Sequence, residues 1–254
     1  MMRLPQGVRF GLIGERAPRP APTLIYPFSF ENMRKEPSYG ELSRLVLKRG
    51  VISVILDEPG TGEDSRPNED QKNSLKAWRS RLDQGEDFTR PFCAHARSVL
   101  DYLIREGITD PNRIAVWGCS RDGFLAFHLA AVEPRIKAIV GNSPVTDLSA
   151  LREFTGTTSS QESLTLAHLA PVLAGRAVLI DIGNNDRRID ADRIIAFSRD
   201  LVRATAARQE EGAVIPVELV VGPSWHAGGF GHYAVERFNQ LEADWLLRQF
   251  GLER

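Results

Sequence analysis

The stretch Arg113–Leu129, RIAVWGCSRDGFLAFHL, reads as a strand, a sharp turn and a helix. The apolar run Ile114–Trp117 stops at Gly118. Cys119, Ser120, Arg121, Asp122 and Gly123 follow, and an apolar helix-like segment begins after them. A turn this sharp strains the backbone at its apex, so small residues are needed around it. It lifts the Ser120 hydroxyl above the end of a sheet. The N-terminus of the next helix then lies beneath any negative charge that develops there. The pattern is G-x-S-x-D-G, with Asp122 where a G-x-S-x-G nucleophile turn has glycine. Taken alone, the stretch fits an ordinary strand-to-helix turn equally well.

Outward from it, the chain alternates short apolar strands with helices. Val51–Leu56 (VISVIL) and Ala177–Ile182 (AVLIDI) are unbroken runs of the kind buried on both faces of a parallel sheet. Thr23–Tyr26, Ile136–Val140 and Val214–Val221 add further strands, and residues 8–14 a short one. Helices are expected over about 38–48, 75–82, 88–106, 191–208 and 234–249, from apolar spacing of three and four. Three prolines between Arg16 and Pro22 mark an extended connector. No internal repeat or long linker divides the chain. Residues 1–254 therefore read as one α/β domain, with a mostly parallel sheet of about eight strands and helices on both faces. Residues 146–170, after the Ile136–Val140 strand, have the place of a small cap or lid. Leu148, Leu151 and Phe154 there either line a pocket or pack in the core.

The net charge of −1 gives no reason to expect nucleic acid or an anionic membrane as a partner. Cys93 and Cys119 are too few for a disulfide framework, and with five histidines they make no zinc motif. No cofactor or metal is expected. No run approaches the ~20 apolar residues of a membrane span. The first residues lack the apolar core of a signal peptide, so a cytoplasmic protein is expected.

In such sheets ligand chemistry sits beyond the carboxyl ends of the strands. Ser120, Asp186 in Gly183-Asn184-Asn185-Asp186, and the loop carrying His226 and His232 all fall there. A serine hydroxyl needs an imidazole to take its proton and a carboxylate to orient that imidazole. The order Ser, Asp, His on three successive strand-end loops supplies those roles. Each residue also has a plainer reading: Asp186 as a turn former or helix cap, a histidine in a glycine-rich loop as an idle surface group. Asp190 and Asp192 suit helix capping, and Asp181 lies inside a strand. His95, His128 and His168 sit on helical segments as packing or surface residues. Cys119 reads as a small core residue. On spacing alone, His226 and His232 compete for the base.

Five segments carry a resemblance: LDEPGTGEDS at 56–65, VWGCSRDGF at 116–124, SPVTDLSALREF at 143–154, IGNNDRRI at 182–189 and GHYAVERFNQLEADWL at 231–246. With them the chain resembles an α/β-hydrolase of the prolyl-oligopeptidase or dienelactone-hydrolase-like type over nearly its whole length. The resemblance implies Ser120 as nucleophile, Asp186 as acid and His232 as base, with His226 in reserve. It implies a serine hydrolase that cleaves a carboxylic ester, less readily a peptide or amide, through an acyl-enzyme. The expected partner is a small ester or peptide-like substrate. The oxyanion hole is expected from the backbone N–H of Arg121 and, after the Thr23–Tyr26 strand, of Phe28, because Pro27 has no N–H. Two placements are open for Asp122: capping the helix N-terminus, or facing the oxyanion, whose charge it would oppose. Gly123 then takes the close-packing role of the missing glycine. The alternative to an enzyme is a hydrolase-fold protein that only binds.

Overall fold

Eight strands among the described residues form a single sheet, and each of the two β-branched runs lies between neighbouring strands on both sides. The computed structural model describes residues 1–4, 7–14, 20–35, 37–70, 73–224 and 235–253. The strands are β1 (Met2–Arg3), β2 (Arg9–Ile13), β3 (Ala21–Pro27), β4 (Ile52–Leu56), β5 (Thr109–Cys119), β6 (Ile136–Asn142), β7 (Ala177–Gly183) and β8 (Val217–Gly222). Their spatial order is β1-β2-β4-β3-β5-β6-β7-β8. The first two pairings are antiparallel, and every pairing from β4 to β8 is parallel. All residues of β4 are buried, as its unbroken apolar run requires.

Between the strands run α1 (Phe30–Lys35), α2 (Glu41–Leu47), α3 (Ser74–Asp83), α4 (Thr89–Arg105), α5 (Arg121–Val132), α6 (Gln161–Leu164), α7 (Ala170–Leu173), α8 (Ala191–Ala206) and α9 (Val235–Gln249). Alternate strand residues sort to opposite faces. Ile25, Val54, Val116 and Ile180 pack with α3, α4, α5 and α8. Leu24, Ile55, Trp117 and Leu179 pack with α1, α2 and α9. Helix α4 buries Phe92, Ala96, Val99, Leu100 and Leu103, one stripe at helical spacing.

Several expectations are refined. The helix expected over 38–48 begins as a single tight turn, Pro37–Gly40, before α2. Helix α1 has no counterpart in the sequence reading. Residues 146–170 form short single turns, α6 and an isolated bridge between Asp147 and Thr165. Leu148, Leu151 and Phe154 are buried in the main core, so they pack rather than line a pocket. Among the described residues no helix is long and apolar enough to cross a membrane.

A buried polar network fastens α9 to the sheet. Glu242 accepts hydrogen bonds from Trp117 Nε1 at 2.9 Å and Asn142 Nδ2 at 2.8 Å. Asp181, on β7, lies beside the same carboxyl, and among the described residues neither of its oxygens has a donor that an ionised carboxylate would need. Both acids are fully buried. Desolvation and the neighbouring Glu242 push the Asp181 carboxyl well above its ordinary range, which favours the protonated form, the one able to donate to Glu242.

The folded chain therefore keeps a proton here that the unfolded chain releases near pH 4. The contribution of this group to stability is full below that pH and falls as pH rises, at about 1.4 kcal/mol per unit. Asp181→Asn keeps a donor to Glu242 and cannot ionise. Urea unfolding from pH 4 to pH 7 should show the variant gaining on the wild type as pH rises. A stability difference that does not change with pH would refute the protonated state.

Candidate active site

At the end of β5 the chain turns through Ser120 at φ 53° and ψ −122°, directly into α5. This is a left-handed φ on a non-glycine residue, a conformation that costs about 1–3 kcal/mol and must be held by its surroundings. Three backbone hydrogen bonds hold it. Ser120 N–H donates to Asn142 O at 3.0 Å, and Ser120 O accepts from Gly123 N–H at 3.1 Å and Val145 N–H at 2.8 Å.

The glycines explain how the helix comes so close. A Cβ on Gly118 would lie 2.3 Å from the carbonyl oxygen of Asp122, and one on Gly123 2.5 Å from Pro144 Cβ. Gly123 thus takes the packing role expected of it. Cys119 is a buried core residue whose Sγ donates to Asn142 Oδ1 at 3.5 Å. The N–H of Arg121 is the first of α5. Such groups have no acceptor within the helix and carry its positive end.

Asp122 takes neither placement considered from sequence. It is 2% exposed, and its carboxyl lies beside that of Glu58, in the loop after β4. Glu58 also receives Arg121 Nε at 2.6 Å and Arg121 Nη2 at 2.8 Å. Burial first, then the Glu58 carboxylate, push Asp122 well above the ordinary carboxylate range. The helix terminus favours an anion by only ~0.3–1 kcal/mol. Desolvating a carboxylate costs several kcal/mol, so burial outweighs the helix terminus and favours a protonated carboxyl here.

Asp186 follows β7 and is buried. Its Oδ1 accepts from the backbone N–H of Arg188 at 2.9 Å and of Ile189 at 3.3 Å. These contacts fix one carboxylate oxygen within its own loop. Strands β5 and β7 are separated only by β6, so their ends lie about 10 Å apart at ordinary strand spacing.

The acid loop is tied to the segment after β8. Asn184 Oδ1 accepts from Ser224 N at 3.1 Å and Ser224 Oγ at 3.0 Å, and Asn185 N–H donates to Ser224 Oγ at 2.7 Å. His226 and His232 lie outside the described residues. Arg188 joins the same loop to residues 146–170 through Glu153, at 2.8 and 2.9 Å. Asp190 caps α8 through Asp192 N–H at 3.1 Å.

One expected donor is corrected. Phe28 N–H donates to Leu56 O at 3.0 Å, in the ladder between β3 and β4. It is therefore committed to the sheet and does not face Ser120. His128 is also accounted for. It packs on Phe124 with ring centroids 4.6 Å apart, and burial lowers its pKa to about 4. With His168 it lines a cavity of about 870 Å³ beside α4 and α5 whose lining does not include Ser120. Among the described residues no cluster of three His, Cys, Asp or Glu side chains is arranged to hold a metal. Sequence reading missed Glu58, Asn142 and Glu242, because nothing in their local sequence marks them as buried partners.

Comparison with known proteins places this geometry. The profile of the prolyl oligopeptidase family matches residues 38–253. A polyketide transferase of Stachybotrys chlorohalonatus is 29% identical over 128 residues, 50% of this chain and 37% of that protein. A thiohydrolase of Arthrinium phaeospermum is 28% identical over 134 residues, 52% of this chain and 38% of that one. The matches thus span well under half of both relatives.

Among solved structures, a putative dipeptidyl aminopeptidase IV of Bacteroides ovatus superposes with a TM-score of 0.69 at 16% identity, covering 98% of this chain and 34% of that one. An esterase from an Arctic intertidal metagenomic library gives 0.62 at 16%, covering 94% and 86%. A glucuronoyl esterase of Teredinibacter turnerae gives 0.63 at 15%, covering 95% and 69%. These likenesses establish the α/β-hydrolase fold.

The close approach at the elbow is directly testable. Gly118→Ala should destabilise the protein by about 1–3 kcal/mol, since backbone and not a yielding side chain meets the new methyl. Gly40→Ala, where a Cβ meets nothing within 4 Å, should stay within about 0.5 kcal/mol. Urea midpoints compare the two. Equal effects would refute the packing argument.

Proposed function

The chain belongs to the prolyl oligopeptidase family, and on that premise we propose that it is a serine hydrolase cleaving a carboxylic ester through an acyl-enzyme. The observation that carries this reading is the strained Ser120 at φ 53°, poised at the positive end of α5. Support comes from the acid loop, with Asp186 two strands away and its neighbours bonded to Ser224 at the start of the histidine segment.

Ser120 Oγ attacks the carbonyl carbon while His232 takes its proton, and Asp186 orients the imidazole and stabilises its charged form. The tetrahedral oxyanion is met by the N–H of Arg121. With Phe28 committed to Leu56, Ser29 N–H, next along the same loop, takes the second donor role. Collapse breaks the ester C–O bond, and His232 returns the proton to the leaving alkoxide. Water then attacks the acyl-enzyme, releasing the acid and restoring Ser120. His226 is the reserve base. No metal or organic cofactor enters these steps. An ester is favoured over a peptide because the Arctic esterase is matched over 86% of its length and the aminopeptidase over 34%.

A fluorophosphonate probe should label the wild-type protein and leave Ser120→Ala unlabelled. Absence of labelling in both would favour a fold retained for binding. With a p-nitrophenyl ester, His232→Ala should lose at least about 10³-fold in kcat, of the order found on removing a triad member. His226→Ala should retain turnover. The reverse result would make His226 the base. A second reading, transfer of the acyl group to an acceptor other than water, is favoured by the relative named a polyketide transferase. Mass spectrometry of products formed with an added alcohol separates it from hydrolysis.

A further inference from the structure

The carboxyl at position 122, where such turns have glycine, sits in a cluster of three ionisable groups beside Ser120, two of them buried and Arg121 half-buried. Glu58 is fully buried and Asp122 is 2% exposed. Arg121 meets Glu58 through two nitrogens, a bidentate pairing with little freedom. Asp122 Oδ1 lies 3.9 Å from Arg121 Nε, outside hydrogen-bonding distance. Among the described residues that oxygen has no hydrogen-bond partner. The same Arg121 Nε is 2.6 Å from Glu58 Oε2, which places the two carboxyls on one guanidinium and within range of each other.

Glu58 is itself held rigidly from α3. Ser74 Oγ donates to its Oε2 at 3.2 Å, and Trp78 Nε1 donates to the carbonyl of the next residue, Pro59, at 2.7 Å. Two carboxylates facing each other out of water cannot both stay ionised. The cluster holds one cation, so one negative charge balances it.

We propose that Glu58 and Asp122 share a single proton, and that this acid pair, clamped on Arg121, is a positioning device for the nucleophile elbow. It fixes the residue whose backbone N–H meets the oxyanion, and it keeps the net charge beside that N–H at zero. Asp122 is thus a positioning residue that acts through Glu58 and Arg121. The departure from glycine supplies a charge-neutral latch between the β4 loop and the first turn of α5.

Loss of the shared proton would leave a second negative charge in the first turn of α5, against the developing oxyanion. The groups that face the pair are Arg121 on α5, Ser74 on α3, Asp57 on the β4 loop, Tyr39 before α2 and the Cys119 thiol at the end of β5. Arg121 is the one cation among them, and it is already committed to Glu58. The alkaline limb of catalysis therefore belongs to this pair and not to the histidine base, which is active when neutral.

The positioning role rests on the serine hydrolase reading, while the shared proton does not. The first measurement is infrared difference spectroscopy of the whole protein at neutral pH. Wild type minus Asp122→Asn should leave a protonated-carboxyl C=O band, because the Asp181 carboxyl common to both cancels; the variant keeps the shape and a donor to Glu58. Glu58→Gln tests the same point independently. It leaves Asp122 as the sole carboxyl facing Arg121, so Asp122 ionises and wild type minus Glu58→Gln should leave the same band. Absence of that difference band for both variants would overturn the proposal.

The second measurement is the pH profile of kcat for p-nitrophenyl ester turnover. In Asp122→Asn the alkaline limb should move up by about one pH unit or more, with KM little changed. A limb that coincides with that of the wild type would overturn the positioning role. A wild-type protein that gives the difference band but no fluorophosphonate labelling would instead overturn the hydrolase reading alone.

Discussion

The chemical end of the sheet depends on how closely two pieces of backbone approach at Gly118. A single methyl there would stand 2.3 Å from the Asp122 carbonyl, so only glycine lets α5 begin directly against β5. That approach forces Ser120 into φ 53°. The strain, about 1–3 kcal/mol, is offset by the three backbone hydrogen bonds to Asn142, Gly123 and Val145, each worth about 0.5–1.5 kcal/mol. The nucleophile candidate is half-buried and stays strained because the backbone around it is over-determined. Ser143, next to Asn142, also has a positive φ, of 43°, and its N–H donates to Asp181 O at 2.8 Å. The strained backbone thus extends across the ends of β5 and β6.

Two pairs of buried acids flank this elbow, one on each face of the sheet. On the α5 face Glu58 and Asp122 balance Arg121. On the α9 face Asp181 and Glu242 carry one negative charge, met by the N–H groups of Trp117 and Asn142. Both follow from one rule: a carboxylate out of water needs a cation, N–H donors or a proton. Asn142 links the second pair to the chemistry. Its side chain donates to Glu242 while its backbone carbonyl receives Ser120 N–H. Helix α9, which directly follows the histidine segment, is anchored through it.

Much of this was legible one element at a time. VISVIL and AVLIDI are strands because an unbroken β-branched run fits nothing as well as a sheet covered on both faces, and they became β4 and β7. The stripe on α4 and the cap at Asp190 are local signals and were found where expected. Helix α1 was missed because six residues after Pro27-Phe28-Ser29 carry too little periodicity to distinguish helix from loop. The donor role given to Phe28 failed for a non-local reason: its N–H belongs to the ladder with β4, and pairing partners are not visible along the chain. Leu148, Leu151 and Phe154 were correctly seen as apolar, but which surface buries them is decided by packing.

The sequence by itself determined the alternation of strands and helices, the serine at the apex of a glycine-bounded turn, and the order Ser, Asp, His at strand ends. These are properties of residues near one another along the chain, where backbone sterics and side-chain periodicity act. Only the tertiary structure decided the state of Asp122. Glu58 and Arg121 are 63 residues apart, and Trp117 and Glu242 are 125 apart. Whether a carboxyl carries charge depends on what surrounds it once water is excluded. The aspartate that looked from sequence like a helix cap or an obstacle to catalysis is a neutral acid in a closed pair, because folding brings Glu58 and Arg121 to it.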